Sequence, residues 1–268
     1  DEYFSLSDLS DPTNLGQSRS EEHTSELEGN FDLLTGLVTR LRTKDPRHLY
    51  TTTTYSFQKG HGTQPESVDD FYITQNTEKG WVRGQGVFDQ LSPDFKTDYI
   101  HSIDHLSIPV VSHEIGQYSV YPDMKEIEKY KGVLSPVNFI AVQKDLESKG
   151  LLSKAGDYTA ATGKFATLLY KEEIERALKT SGLSGFQLLD LHDFPGQGTA
   201  LVGVLNAFWE SKGFVSDEEW RMFCSEVVPL LWFEKAVYTT NETFKAEFGI
   251  ADYFKDYNQI YVFRVKIF

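Results

Sequence analysis

The sequence predicts an α/β fold, with strands of a parallel sheet or barrel alternating with helices, followed by the opening strands of a β-sandwich. Three observations predict it. Short β-branched or aromatic runs alternate with longer stretches of helical period. Two of those runs, Ile108–Ser112 (IPVVS) and Phe186–Leu191 (FQLLDL), are mostly apolar, as strands covered on both faces are. Beyond about Ser225 the helical stretches stop and the remaining runs are all β-like.

Residues 1–25 are polar and lack a sustained apolar period, the composition of a segment that cannot bury a core. Within them, Arg19–Leu27 (RSEEHTSEL) resembles the accidental translation of a sequencing adapter. From Asn30, a plausible N-cap, Leu33, Leu34, Leu37, Val38 and Leu41 recur on one helical face before Pro46. His48–Tyr55 (HLYTTTTY) and Asp69–Thr74 (DDFYIT) have strand composition and barrel-strand length. A glycine-containing loop with Gly80, Gly84 and Gly86 follows, then a helix over 94–105 and the strand 108–112. Helices are expected at 125–131, 137–149 and 153–180, the last stopped by Gly182 and Gly185. After the strand 186–191 comes a helix at 199–208, and strands of the sandwich are expected at 235–240, 243–250 and 259–268. The domain division is therefore 1–25 irregular, 26–228 α/β, and 229–268 the beginning of an immunoglobulin-like β-sandwich.

The composition narrows the function. With 40% hydrophobic residues in 268, the chain can bury a sizeable core. A formal charge of −14 argues against a nucleic-acid partner, because polyanion binding rests on Lys and Arg contacts; a neutral substrate fits better. No apolar run approaches the ~20 residues of a membrane span. The single cysteine, Cys224, rules out an intrachain disulfide and a cysteine zinc site, and reads as a small buried hydrophobe.

In parallel α/β barrels the chemistry sits where strands end, at their C-terminal side. Glu114 follows the strand 108–112, and Glu26 or Glu28 precedes the helix that begins near Asn30. Retaining glycoside hydrolysis needs two carboxyl groups, one as nucleophile and one as proton donor, ~5–5.5 Å apart, and two neighbouring barrel strand ends, or ends across the barrel mouth, can supply them. His192 and Asp193 follow the strand 186–191, where they could bind sugar hydroxyls or simply cap the rim. His113 could shape the same pocket or be a satisfied structural residue, and Tyr118 reads as core or wall. Tyr72, in the strand 69–74, could reach the nucleophile. Trp81 and Arg83 lie on the next loop, where Trp81 could serve as a pyranose platform, although solvated loop residues are the default.

The succession Ser25-Glu26-Leu27-Glu28-Gly29-Asn30, HLYTTTTY, IPVVSHEIGQY and GFQLLDLHDFPGQGTA resembles strands four to eight of the catalytic (β/α)8, or TIM, barrel of glycoside hydrolase family 2, the β-galactosidase-like enzymes. The resemblance covers roughly Leu27 to Val228. It implies a retaining exo-β-glycosidase acting on terminal β-linked sugars of oligosaccharides, with Glu114 as nucleophile, Glu26 as acid/base and no cofactor or metal. Ser25 stands where the family carries an Asn before the acid/base. The resemblance further implies an N-terminal half of the barrel as structural partner and a periplasmic or extracellular setting. The rival readings are a catalytically dead carbohydrate-binding barrel fragment and a metal-dependent hydrolase built on His101, Asp104, His105, His192 and Asp193.

Overall fold

A computed structural model of the chain describes residues 30–52, 62–84, 88, 94–194 and 200–253. The first element is helix α1, Phe31–Lys44, where the Asn30 side chain accepts from the Leu33 amide at 3.1 Å. Such a cap contributes about 1 kcal/mol. The expected apolar face is only partly covered: Val38 is buried, and Leu33 is exposed.

The segment expected as a strand at 48–55 forms none over its described residues, 48–52. Its amides are taken by carboxylates instead. Tyr50 N donates to Asp70 Oδ2 at 2.8 Å and Thr52 N to Asp69 Oδ1 at 2.7 Å, while the Asp70 amide donates to the Tyr50 carbonyl. With two aspartates supplying acceptors, the regular ladder begins only at β1, Tyr72–Thr74. A small hairpin follows, β2 (Asn76–Thr77) paired antiparallel with β3 (Gly80–Trp81), where a loop is expected.

The predicted helix at 94–105 shrinks to one turn, α2, Ile100–Ile103. Asp94 Oδ1 accepts from the amides of Lys96 and Thr97, and Asp98 Oδ1 from that of Ile100, so the aspartates compete with the helical pattern. Strand β4, Val110–Ile115, begins two residues later than the sequence suggests and extends to include His113 and Glu114. Helix α3 (Val137–Ser148) and helix α4 (Ala155–Lys179) match expectation, whereas the segment expected helical at 125–131 is a 3-10 helix, Met124–Lys129. Strand β5, Leu183–Leu188, starts and stops earlier than the predicted 186–191.

Strands β1, β4 and β5 form one parallel sheet in the order β1-β4-β5, joined by crossovers in which α2 and α4 lie. The fold is therefore mixed α/β around a three-stranded parallel sheet, with two small two-stranded sheets beside it; no closure into a barrel is present among the described residues. Helix α4 packs on β4 and β5. One core cluster joins Tyr72, Val82, Tyr99, Ile103, Val110, Ala177 and Leu183; a second joins Ile115, Ile174 and Phe223.

The helix expected at 199–208 is absent over its described residues, 200–208. Leu205 bridges both His192 and Ser211, and Asn206 Oδ1 accepts from the Phe208 and Glu210 amides. Gly203 lies so close to the backbone of His192 that a Cβ would overlap it. Tertiary packing against the 192–193 segment thus outweighs local propensity. After a short helix α5 (Asp217–Arg221), strands β6 (Val227–Phe233) and β7 (Ala246–Asp252) pair antiparallel. β6 carries Pro229, which hides a strand from sequence reading. It spans the expected domain boundary at 228/229, and its Phe233 ring stacks on Phe95 with centroids 4.3 Å apart. No strand occupies 235–240, and 259–268 lies outside the described residues. No helix among the described residues is long and apolar enough to cross a membrane.

Candidate active site

The three parallel strands end on one side of the sheet, and each brings a polar residue there: Gln75 directly after β1, Glu114 as the penultimate residue of β4, and His192 beyond β5. Glu114 is 8% exposed and has φ +53°, a left-handed conformation. Gln117 (φ +65°) and Gly116 (φ +102°) continue the turn. A side chain other than glycine held there costs about 1 kcal/mol or more, so neighbouring contacts must hold the turn.

Those contacts are specific. Gln75 Nε2 donates to Glu114 Oε2 at 2.5 Å, and Arg83 Nη1 lies 3.5 Å from the same oxygen. Arg83 Nη2 donates to Gln117 Oε1 at 2.7 Å, tying the cation to the turn. His113 Nε2 lies 3.5 Å from Glu114 Oε1, and its Nδ1 is 2.8 Å from Gln187 Oε1. From α4, Glu173 accepts from the Gly84 amide, the Gly116 amide at 2.9 Å and the Tyr118 hydroxyl at 2.7 Å. Burial pushes the Glu173 carboxyl up, and these three donors oppose it. Burial and the adjacent Glu173 push the Tyr118 phenol well up, which keeps it a donor. Gln75 and Arg83 thus bring an amide donor and a guanidinium to one oxygen of a buried carboxyl group.

The other expected residues are placed differently from one another. Tyr72 is a core residue at the start of β1, with its hydroxyl donating to the Gly62 carbonyl at 2.5 Å. Trp81 sits in the β2–β3 hairpin with 40% of its surface exposed. Asp193 is buried, and its Oδ1 accepts from Lys212 Nζ at 2.7 Å and from the Gly203 amide at 3.0 Å. It therefore joins the segment after β5 to the segments of Gly203 and Lys212. Burial pushes the Asp193 carboxyl up and Lys212 opposes the shift. His192 is half-buried, with Nδ1 2.6 Å from the Asp193 carbonyl and its ring 4.2 Å from that of Trp209, itself 64% exposed at φ +64°. Glu26 and Glu28 lie outside the described residues.

Arg83 is a correction to the solvated-loop expectation, since it is 3% exposed and faces Glu114. Gln75, Gln117, Glu173 and Trp209 are not found by sequence reasoning. Gln75 had a usable signal, its position immediately after a strand on the side where Glu114 lies. Glu173, inside a long helix rich in charged residues, had none. Asp104, a member of the metal-site alternative, accepts from Lys79 Nζ at 2.6 Å, and no group of three or more His, Cys, Asp or Glu among the described residues is placed to hold a metal ion. Cys224 is half-buried against the second core cluster, and burial pushes its thiol up. No protein-family model and no curated protein sequence matches the chain.

Proposed function

We propose that the chain carries the nucleophile side of a retaining β-glycosidase site, with Glu114 as nucleophile on a (β/α)8 barrel of the glycoside hydrolase family 2 type. The observation that supports this best is the setting of Glu114 at the C-terminal end of the middle parallel strand, where Gln75 and Arg83 address one of its oxygens. In the first step Glu114 attacks the anomeric carbon of a terminal β-linked sugar, while the acid, Glu26 on this reading, gives its proton to the departing oxygen. In the second, that residue takes a proton from water, the water oxygen bonds to the anomeric carbon, and the bond to Glu114 breaks. His192 and exposed Trp209 at the same end of the sheet suit a sugar ring, one as a polar contact and the other as an apolar platform.

The test is intact-protein mass spectrometry after incubation with 2-deoxy-2-fluoro aryl β-glycosides of galactose, glucose and mannose, followed by peptide mapping. One fluoroglycosyl group on the Glu114 peptide, absent from Glu114→Gln, is the expected result. A folded sample that takes up no adduct from any of the three, or takes it up elsewhere, overturns the assignment.

A further inference from the structure

We propose that Glu173 is the positioning residue for Glu114, its buried carboxylate clamping the turn after β4 to the segment after β3 so that Glu114 stays against Arg83 and Gln75. Its catalytic meaning rests on the nucleophile reading above, but the clamp is a geometric claim in its own right. Glu173 is 0% exposed and reaches out of α4 to three donors on two different segments. One of them, the Gly84 amide, belongs to the residue after Arg83. The other two, the Gly116 amide and the Tyr118 hydroxyl, flank Gln117, which itself accepts from Arg83. The contacts close a ring that runs from Glu173 through Gly84 and Arg83 to Gln117 and Gly116 and back.

The two glycines leave the room this requires. A Cβ at Gly84 would lie 2.6 Å from the Tyr118 hydroxyl and 2.8 Å from Glu173 Cδ, and one at Gly116 would overlap the Tyr170 ring. Arg83 attracts Glu173, while the phenols of Tyr99, Tyr118 and Tyr170 surround it and Glu172 and Arg176 neighbour it on the helix. Without the clamp the Gly84 and Gly116 amides and the Tyr118 hydroxyl lose their shared acceptor, and the left-handed conformation of Glu114 is held against relaxation by fewer contacts.

The experiment is an NMR titration of the Glu114 carboxyl in protein labelled with 13C at the glutamate carboxyl carbon, the signal being assigned by its loss in Glu114→Gln. Wild type, Glu173→Gln and Tyr118→Phe are compared. Were Glu173 only a space-filler or a source of charge, its replacement by Gln would leave the Glu114 midpoint unchanged or lower it, because a nearby negative charge disappears. A clamp predicts the opposite sign. Gln presents an NH2 group to donors, the turn relaxes, Arg83 and Gln75 draw away, and the midpoint rises by about one pH unit. Tyr118→Phe, which removes one donor and keeps both amide bonds, gives a smaller rise, and it decides by the same sign if Glu173→Gln does not fold. A midpoint that falls or stays fixed overturns the clamp. If the midpoint rises but wild type takes up no fluoroglycosyl group, the clamp stands and the nucleophile reading fails; an adduct on Glu114 with a fixed midpoint gives the reverse.

Discussion

Glu126 is a carboxylate buried without the donors that surround Glu114. It is 3% exposed, its Oε2 has no hydrogen-bond partner among the described residues, and burial, reinforced by Asp193, raises its pKa to about 7. A carboxyl whose folded pKa exceeds its unfolded value binds more protons in the native state between the two. Stability contributed by this group is therefore lost as pH rises from about 4.5 to about 7, and the loss is complete above that. Glu172, on α4, is also pushed up to about 7 by burial and acts with the same sign. Glu126→Gln should therefore stabilise the protein at pH 8 by about 2 kcal/mol and make little difference at pH 4.5, as read from urea unfolding at the two pH values. Equal effects at both would mean that Glu126 is solvated. The contrast with Asp193 is instructive, because that carboxylate is as buried but has Lys212 at 2.7 Å. Lys212→Met would leave its charge unpaired and should destabilise by about 3 kcal/mol at neutral pH, measured in the same way.

At the scale of an element, α4 shows how tertiary contact reverses a helix propensity. Replacing glycine by alanine inside a helix ordinarily stabilises by roughly 0.5–1 kcal/mol, because the unfolded chain loses freedom. At Gly156 a new Cβ meets nothing within 4 Å, so Gly156→Ala should stabilise by roughly 0.5 kcal/mol. At Gly163, seven residues further along the helix, the Cβ would overlap the ring of Phe214. Overpacking of this kind costs about 1–3 kcal/mol and exceeds the propensity gain, so Gly163→Ala should destabilise. Thermal unfolding of the two variants should move in opposite directions; a Gly163→Ala protein as stable as Gly156→Ala would show that the Phe214 ring yields freely. The same helix changes character along its length. Phe165 and Leu168 are exposed at about 60%, while Glu172, Glu173, Glu175, Arg176 and Lys179 are buried. Those charges are engaged, since Arg176 donates to the Asp94 carbonyl at 3.0 Å and sits over the Phe88 ring, and Lys179 donates to the Phe95 carbonyl at 3.1 Å. The C-terminal half of α4 thus fastens the 94–99 segment by polar contacts in addition to the apolar packing that joins Ala177 and Tyr99 in the first core cluster.

Over the whole molecule, what the sequence made legible was set by the range of the interactions involved. Helices α1, α3 and α4 and the run around Val110 follow from short-range period and capping, and Glu114 follows from standing at a strand end. The irregular segment 200–208 and the short α2 escaped because Asp94, Asp98, Asn206 and the close approach of Gly203 to His192 act through side-chain acceptors and tertiary crowding. β6 escaped because Pro229 interrupts its pattern, and Glu173 because a buried charge in a charged helix has no mark of its own. The parallel sheet leads to the last prediction. β4 is bonded on both sides, by β1 and β5, and five of its six residues are buried; β5 is bonded on one side among the described residues. Beside β5 lies a cavity of about 470 Å³ lined by Ala177, Leu183, Phe186, Cys224 and Tyr253. Amide hydrogen exchange should be slowest in β4 and at least about tenfold faster in β5, because an amide bonded on an open edge exchanges by local opening. Equal protection of the two strands would mean that a further strand lies along β5, as closure into a barrel demands, and would turn the three-stranded sheet into part of a larger one.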